Sequence, residues 1–170
     1  MAVYYFVIYS FLGFLLEVVF AWVTGQPKRD RKCLYLLPLC PVYGLGALAV
    51  LSLPEGVRGF WLVVLGGLVA TAVEALVGLW DRHVLGVQFW DYTGLPGAWR
   101  GVVCLPFFLA WGVLSWALVT WLHPMVARWA ALLPRWAVPA AARLVLGDLA
   151  RSAVLLRRSG TTDVLKWYAS

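Results

Sequence analysis

The chain has 170 residues, of which 63% are apolar and 13% charged, with a mean hydropathy of +0.83 and a net charge of +6. A soluble domain is about half apolar and about a quarter charged, so this chain cannot cover itself with a wetted surface. The arithmetic excludes a disordered chain, a collagen-like repeat, a disulfide-rich secreted scaffold and a cytosolic enzyme, and it predicts an integral membrane protein.

A membrane helix needs roughly 20 mostly apolar residues to cross a hydrocarbon core about 30 Å thick. The first such run, Ala2 to Val23, is interrupted only by Glu17. With no basic start and no small-residue cleavage site, it reads as a retained helix and not a signal peptide. The basic loop Lys28-Arg29-Asp30-Arg31-Lys32 follows. It is a topological determinant that attracts anionic lipid, with Arg31 able to reach an acidic residue from the loop side. The second run extends from about Tyr35 to Leu53 and contains Pro38, Pro41, Gly44 and Gly46. The third, Phe60 to Trp80, carries one charge, Glu74.

Next comes the most distinctive loop, Gln88-Phe89-Trp90-Asp91-Tyr92-Thr93, continuing through Gly94, Pro96, Gly97, Trp99, Arg100 and Gly101. Aromatic rings around one carboxylate suit a loop folded back to headgroup depth, with Asp91 bonded to backbone amides or to Arg100. An interfacial turn in which Asp91 caps a helix fits the same residues. The fourth run, Val102 to Leu122, is uncharged and ends at His123-Pro124. Residues 125–150 hold Arg128, Pro134, Arg135, Pro139, Arg143 and Asp148, and read as a poor fifth span or an interfacial helix. Residues 151–170 form a basic amphipathic tail, suited to an inner leaflet or to a soluble partner.

Positive charge sets orientation. With five spans and an outside N-terminus, Lys28, Arg29, Arg31, Lys32, Arg82, Arg100, Arg151, Arg157, Arg158 and Lys166 fall inside, and Arg58, Arg128 and Arg135 outside. The expected fold is thus an all-α polytopic membrane bundle of about five transmembrane helices in a bacterial inner membrane, with the C-terminus cytoplasmic. The net charge follows this bias and carries no nucleic-acid footprint. Trp22, Trp61, Trp80, Trp99 and Trp121 stand near predicted helix ends, where indole rings prefer the headgroups.

The first four spans also read as an internal duplication within a 1–124 core, with repeats of about 1–54 and 55–124. Each has a carboxylate, a loop, a Cys/Pro pair (Cys40-Pro41; Cys104-Leu105-Pro106) and an aromatic-Gly pair (Tyr43-Gly44; Trp111-Gly112). Two spans per half make the repeats parallel, related by an axis along the membrane normal. Glu17 lies six residues before Val23 and Glu74 six before Trp80, placing both carboxylates on the order of 9 Å inside the same boundary. A charge at that depth must face protein, water or a ligand. Facing each other across the axis, the pair suits a proton- or cation-handling site. Bonding to neighbouring helices or to an arginine is the structural alternative.

Cys33, Cys40 and Cys104 form no CxxC and no Cys/His set, so no metal and no cofactor is expected. No G-x-x-x-x-G-K-[ST] or G-x-S-x-G sequence occurs, so the chain carries neither a nucleotide-hydrolysing domain nor a hydrolase elbow.

One series of residues resembles the CmpB-type ABC-transporter permease family of small bacterial membrane proteins. It comprises Tyr9-Ser10, Gly13, Glu17, Asp30-Arg31, Pro38, Cys40-Pro41-Val42-Tyr43-Gly44-Leu45-Gly46, Glu74, Trp90-Asp91-Tyr92-Thr93 and Gly101 with Cys104-Leu105. The likeness covers roughly residues 5–125. Asp30 stands where the family pattern has Asn, and Arg100 precedes Gly101 where the pattern has Gly-Arg. The resemblance implies a permease-like membrane subunit working with a separate ATPase. The candidate substrate- or ion-binding set is Glu17, Glu74, Asp91, Arg31, Arg100, Tyr43, Trp90 and Tyr92. Five spans are few for an enclosed pathway, so a homo-oligomer within membrane lipid is expected. A membrane-embedded lipid or headgroup enzyme and a non-catalytic assembly protein remain the alternatives.

Overall fold

Five helical rods and no strand make up the described residues, 1–25 and 33–166, of the computed structural model. We number them α1 (Ala2–Val23), α2 (Pro41–Leu51), α3 (Gly59–Leu85), α4 (Leu105–Ala131) and α5 (Val138–Ser159). The rods α1, α3 and α4 are long and apolar enough to cross a membrane, and α2 is a shorter apolar helix. The chain is an all-helical membrane bundle, as its composition predicts. Successive rods alternate in direction, so that α1, α3 and α5 run from the Met1 end of the bundle to the Val23 end.

Because lipid is as apolar as leucine, the helices gain nothing from hiding leucine from it and instead associate by close backbone approach and polar bonds. Glycine supplies the approach. A Cβ on Gly13 of α1 would lie 2.2 Å from the Tyr43 ring of α2, and one on Gly112 of α4 would lie 2.6 Å from the Val63 carbonyl of α3. Gly67 meets Phe108 across the same α3–α4 contact. The outer surface stays apolar, with Val19, Leu76 and Leu109 exposed. Exposed Trp22 and Trp80 stand at the Val23 end, and Trp61, Trp129 and Trp136 at the opposite end.

Proline decides where rods start. Pro41 and Pro106 occupy the first turns of α2 and α4, whose N-caps are the extended cysteines Cys40, directly before Pro41, and Cys104, one residue further from Pro106. A proline pushes the preceding residue out of the helical region and suits the first helical turn. Pro38 and Pro41 together therefore delay the second helix to Pro41, where the hydropathy alone predicts a start near Tyr35.

The fourth rod differs from the sequence expectation in the opposite sense. It passes through His123-Pro124 and ends only at Ala131. A wide π turn over Leu118–Leu122 immediately precedes His123-Pro124. Such a turn re-registers the backbone bonds, so the N–H that Pro124 lacks does not end the helix. Residues 125–150 are consequently divided. The first part completes α4, a turn containing Pro134 follows, and Pro139 opens α5.

The last rod is amphipathic and runs the length of the bundle. At one end the Tyr4 hydroxyl donates to the Pro134 carbonyl at 2.6 Å. At the other, Leu156 and Leu165 pack on Val87. Between them Val145 joins Leu34 and Leu39, while Asp148 and Ser152 bind backbone: Leu36 N–H and Leu37 N–H donate to Asp148, and Tyr35 N–H to the Ser152 hydroxyl. The bend after the first loop is thereby fixed to α5.

Candidate functional site

A cavity of about 630 Å³ opens between the rods toward the Val23 end. α1 contributes Leu16, Glu17 and Phe20, α2 contributes Val42 and Tyr43, and α3 contributes Glu74. The 88–95 loop supplies Gln88, Phe89, Trp90, Asp91, Tyr92 and Leu95, and α4 supplies Phe107 and Trp111. Cys33 and Cys40 border it, and Thr162, Leu165 and Lys166 close one side.

The two intramembrane carboxylates thus line one cavity, each tied to an aromatic donor on the following helix. The Tyr43 hydroxyl donates to Glu17 Oε1 at 2.6 Å. The Trp111 indole N–H donates to Glu74 Oε2 at 2.9 Å, and the Tyr92 hydroxyl to Glu74 Oε1 at 2.9 Å. Tyr43 and Trp111 meet edge to face with ring centroids 5.2 Å apart, so the two carboxylate–aromatic units touch. Tyr92 stacks on Phe107 at 4.4 Å. Glu74 is 3% exposed. Leaving a carboxylate there without donors is costly, and the loop tyrosine and the indole offset part of that penalty.

The 86–104 loop folds back on the end of α3. The Trp90 indole donates to the Val102 carbonyl at 2.9 Å and rests on Gly78. Asp91 accepts from the Thr93 hydroxyl at 2.7 Å and the Thr93 N–H at 2.9 Å. These bonds, with a smaller contribution from Arg82, hold its carboxyl below the usual aspartate range. Gly101 has φ +67°, and a Cβ there would lie 2.5 Å from Asp91 Oδ1, so only glycine lets the turn close on the carboxylate.

Six of the eight residues expected from the sequence line the cavity: Glu17, Tyr43, Glu74, Trp90, Asp91 and Tyr92. Arg31 lies outside the described residues. Arg100 is not in the lining; its guanidinium covers the Trp99 ring at 5.2 Å. Of the two partners expected for Asp91, a backbone amide is present, that of Thr93, whereas the nearby arginine is Arg82 and not Arg100: Arg82 Nη2 approaches Asp91 Oδ1 at 3.9 Å and its guanidinium also donates to the Arg100 and Gly101 carbonyls. The physical reason is local. Arg100 has a left-handed backbone, φ +50°, which turns its carbonyl toward Arg82, while its side chain lies over Trp99.

Three contributors escaped the sequence reading. Trp111 was visible as half of an aromatic-Gly pair, but nothing marked it as the donor to Glu74. Phe107 and Arg82 gave no signal, because their roles depend on how the loop folds back. The cysteines are thiols, with Cys33 Sγ 3.3 Å from Cys40 Sγ. That hydrogen bond, together with burial, holds the Cys33 thiol well above its ordinary range, which disfavours the reactive thiolate. Among the described residues, no group of three or more His, Cys, Asp or Glu side chains is placed to hold a metal ion.

No curated protein and no solved structure matches the chain. Residues 4–150 do match the family described as "Putative ABC-transporter type IV" (ABC_trans_CmpB). That span takes in every rod through the first half of α5, and every cavity-lining residue except those of the closing C-terminal turn. The chain belongs to this CmpB-type family and is a membrane component related to ABC transporters.

Proposed function

We propose that the chain is a permease-like transport component whose polar intramembrane site is the cavity shared by Glu17 and Glu74. The observation that carries the reading is the convergence of two carboxylates, from two helices of equal direction, on one cavity with aromatic donors beside both. A charge kept at membrane depth is costly and typically marks a substrate or ion pathway. Asp91, Tyr43, Trp90 and Tyr92 complete the lining, and the parallel arrangement of α1–α2 and α3–α4 supports two related halves, 1–54 and 55–124.

The family supports a separate ATPase as partner, and the absence of a nucleotide-binding motif from the sequence makes that partner necessary for ATP-driven work. A bundle this small suits assembly with a second copy. The distribution of basic residues supports a cytoplasmic Val23 end and an outside N-terminus, in a bacterial inner membrane. Arg82, Arg151 and Arg158 all stand toward that end.

Two measurements test this. Tagged chain purified from its native membrane should bring an ATPase with it; repeated recovery without one removes the ABC form of the reading. In proteoliposomes containing the purified assembly, Glu17→Gln and Glu74→Gln should each abolish substrate-coupled flux while the variants still insert and fold. Undiminished flux in both variants excludes the carboxylate site.

A further inference from the structure

Resting on that transport reading, we propose that the cavity binds an organic cation, an ammonium group on an apolar body, with the charge beside Glu74 and the body against the aromatic wall. Glu74 is oriented by two neutral donors, the Tyr92 hydroxyl and the Trp111 indole. Neutral donors fix a carboxylate without cancelling its charge. Indole N–H only donates, so Oε2 acts as an acceptor toward Trp111 and keeps a second lone-pair direction for a ligand. Among the described residues no lysine or arginine pairs with Glu74. Glu17 adds a second acidic group to the same space.

The walls select among cations. Tyr43, Trp111, Tyr92 and Phe107 present an aromatic surface, and ring faces attract weakly hydrated cations through their quadrupoles. A hard inorganic ion demands six or more oxygen ligands in exchange for its water, and this lining is mostly carbon. Lys166, the basic side chain at the closing turn, is engaged with Asp163 at 3.2 Å. An anion would face the Glu74 carboxylate, which has no basic partner among the described residues. At about 630 Å³ the cavity accommodates a drug-sized molecule, far more than a bare ion needs.

The ammonium could belong to a soluble molecule or to an amine-bearing lipid headgroup, and the test separates them. Full chain in maltoside micelles is titrated calorimetrically with phenyltrimethylammonium, and with benzyl alcohol and benzoate as neutral and anionic counterparts. We expect the cation to bind at least about tenfold more tightly than either. Glu74→Gln should abolish that preference. Phe107→Leu, which keeps an apolar wall, should weaken the cation several-fold and leave benzyl alcohol unchanged, so the proposal stays testable if Glu74→Gln fails to fold. Repeating the titration with added phosphatidylethanolamine or phosphatidylglycerol assigns the source. Competition by the amine lipid alone identifies a headgroup, and no competition identifies a soluble ligand. Equal binding of benzoate or benzyl alcohol, or an intact cation preference in both variants, overturns the proposal. Cation preference in a protein that shows neither ATPase nor flux defeats the transport reading alone. ATPase and flux with a neutral or anionic preference defeat this inference alone.

Discussion

A carboxylate that takes backbone N–H bonds inside a bundle does the work of a turn of secondary structure for a segment that has none. Asp148 receives Leu36 N–H at 3.0 and 3.1 Å to its two oxygens and Leu37 N–H at 2.7 Å, while Ser152 receives Tyr35 N–H at 2.8 Å. Asp148→Ala orphans two donors in a site where Asp148 is 3% exposed. At about 1–3 kcal/mol for each unsatisfied group, we expect a loss of about 2–6 kcal/mol. Asp148→Asn, which keeps one acceptor oxygen, should lose roughly half of that, and Ser152→Ala about 1 kcal/mol. Thermal unfolding in detergent measures all three. Asp91 is the opposite case, an exposed carboxylate at the cavity edge held by Thr93. Its folded pKa is depressed, so its contribution to loop order is present above the unfolded aspartate value of about 3.9 and fades as pH falls below it through the folded value. Acid titration of tryptophan fluorescence should show a transition below pH about 4 that Asp91→Asn lacks. Glu17 and Glu74 were legible in the sequence because a charge in an apolar run has few roles. Asp148 was not, because its partners are backbone amides, which carry no sequence signature. Arg82 and Arg100 stand equally far from Asp91 along the chain, so spacing does not choose between them, and Arg100 is turned away by its own backbone.

Among the elements, small residues set the helix contacts, and the consequences of enlarging them follow from what each Cβ meets. Gly13→Val forces the Tyr43 ring off α1 and with it the hydroxyl that binds Glu17. Gly112→Val drives against the Val63 carbonyl, a backbone atom that cannot rotate away. We expect about 1–3 kcal/mol from the first and more from the second, because overpacking against a flexible ring relaxes further than overpacking against backbone. Unfolding midpoints give the order, and loss of ligand response in folded Gly13→Val reports the displaced tyrosine. The apolar runs made the number of rods readable, but not the starts of α2 and α4, which fall later, at Pro41 and Leu105. The end of α4 was not readable. Proline is a strong stop signal, and its tolerance here depends on the π turn at Leu118–Leu122, which has no distinguishing composition.

For the whole molecule, the unequal apolarity of the rods has a biosynthetic consequence. Inserted helices partition into lipid according to their own apolar content. The rods α1, α3 and α4 meet that requirement. α5 carries Arg143, Asp148, Arg151, Arg157 and Arg158 among its residues, and its buried face, Val145, Asp148, Ser152 and Leu156, is complementary to protein and not to hydrocarbon. Transplanted alone into a host membrane protein, α5 should fail to integrate, whereas in its own chain a glycosylation acceptor placed in the 132–137 turn and one placed after residue 160 should be modified unequally. Equal modification of the two would show that α5 lies along the surface. The amides of Tyr35, Leu36 and Leu37 find their acceptors on α5, so the bend they belong to is completed only when that rod is seated. Since Leu165 and Lys166 reach the cavity only once α5 is seated, the site is sealed at the final step of assembly. A chain ending before α5 would lack the wall that Thr162, Leu165 and Lys166 supply and leave the acidic chamber open on that side.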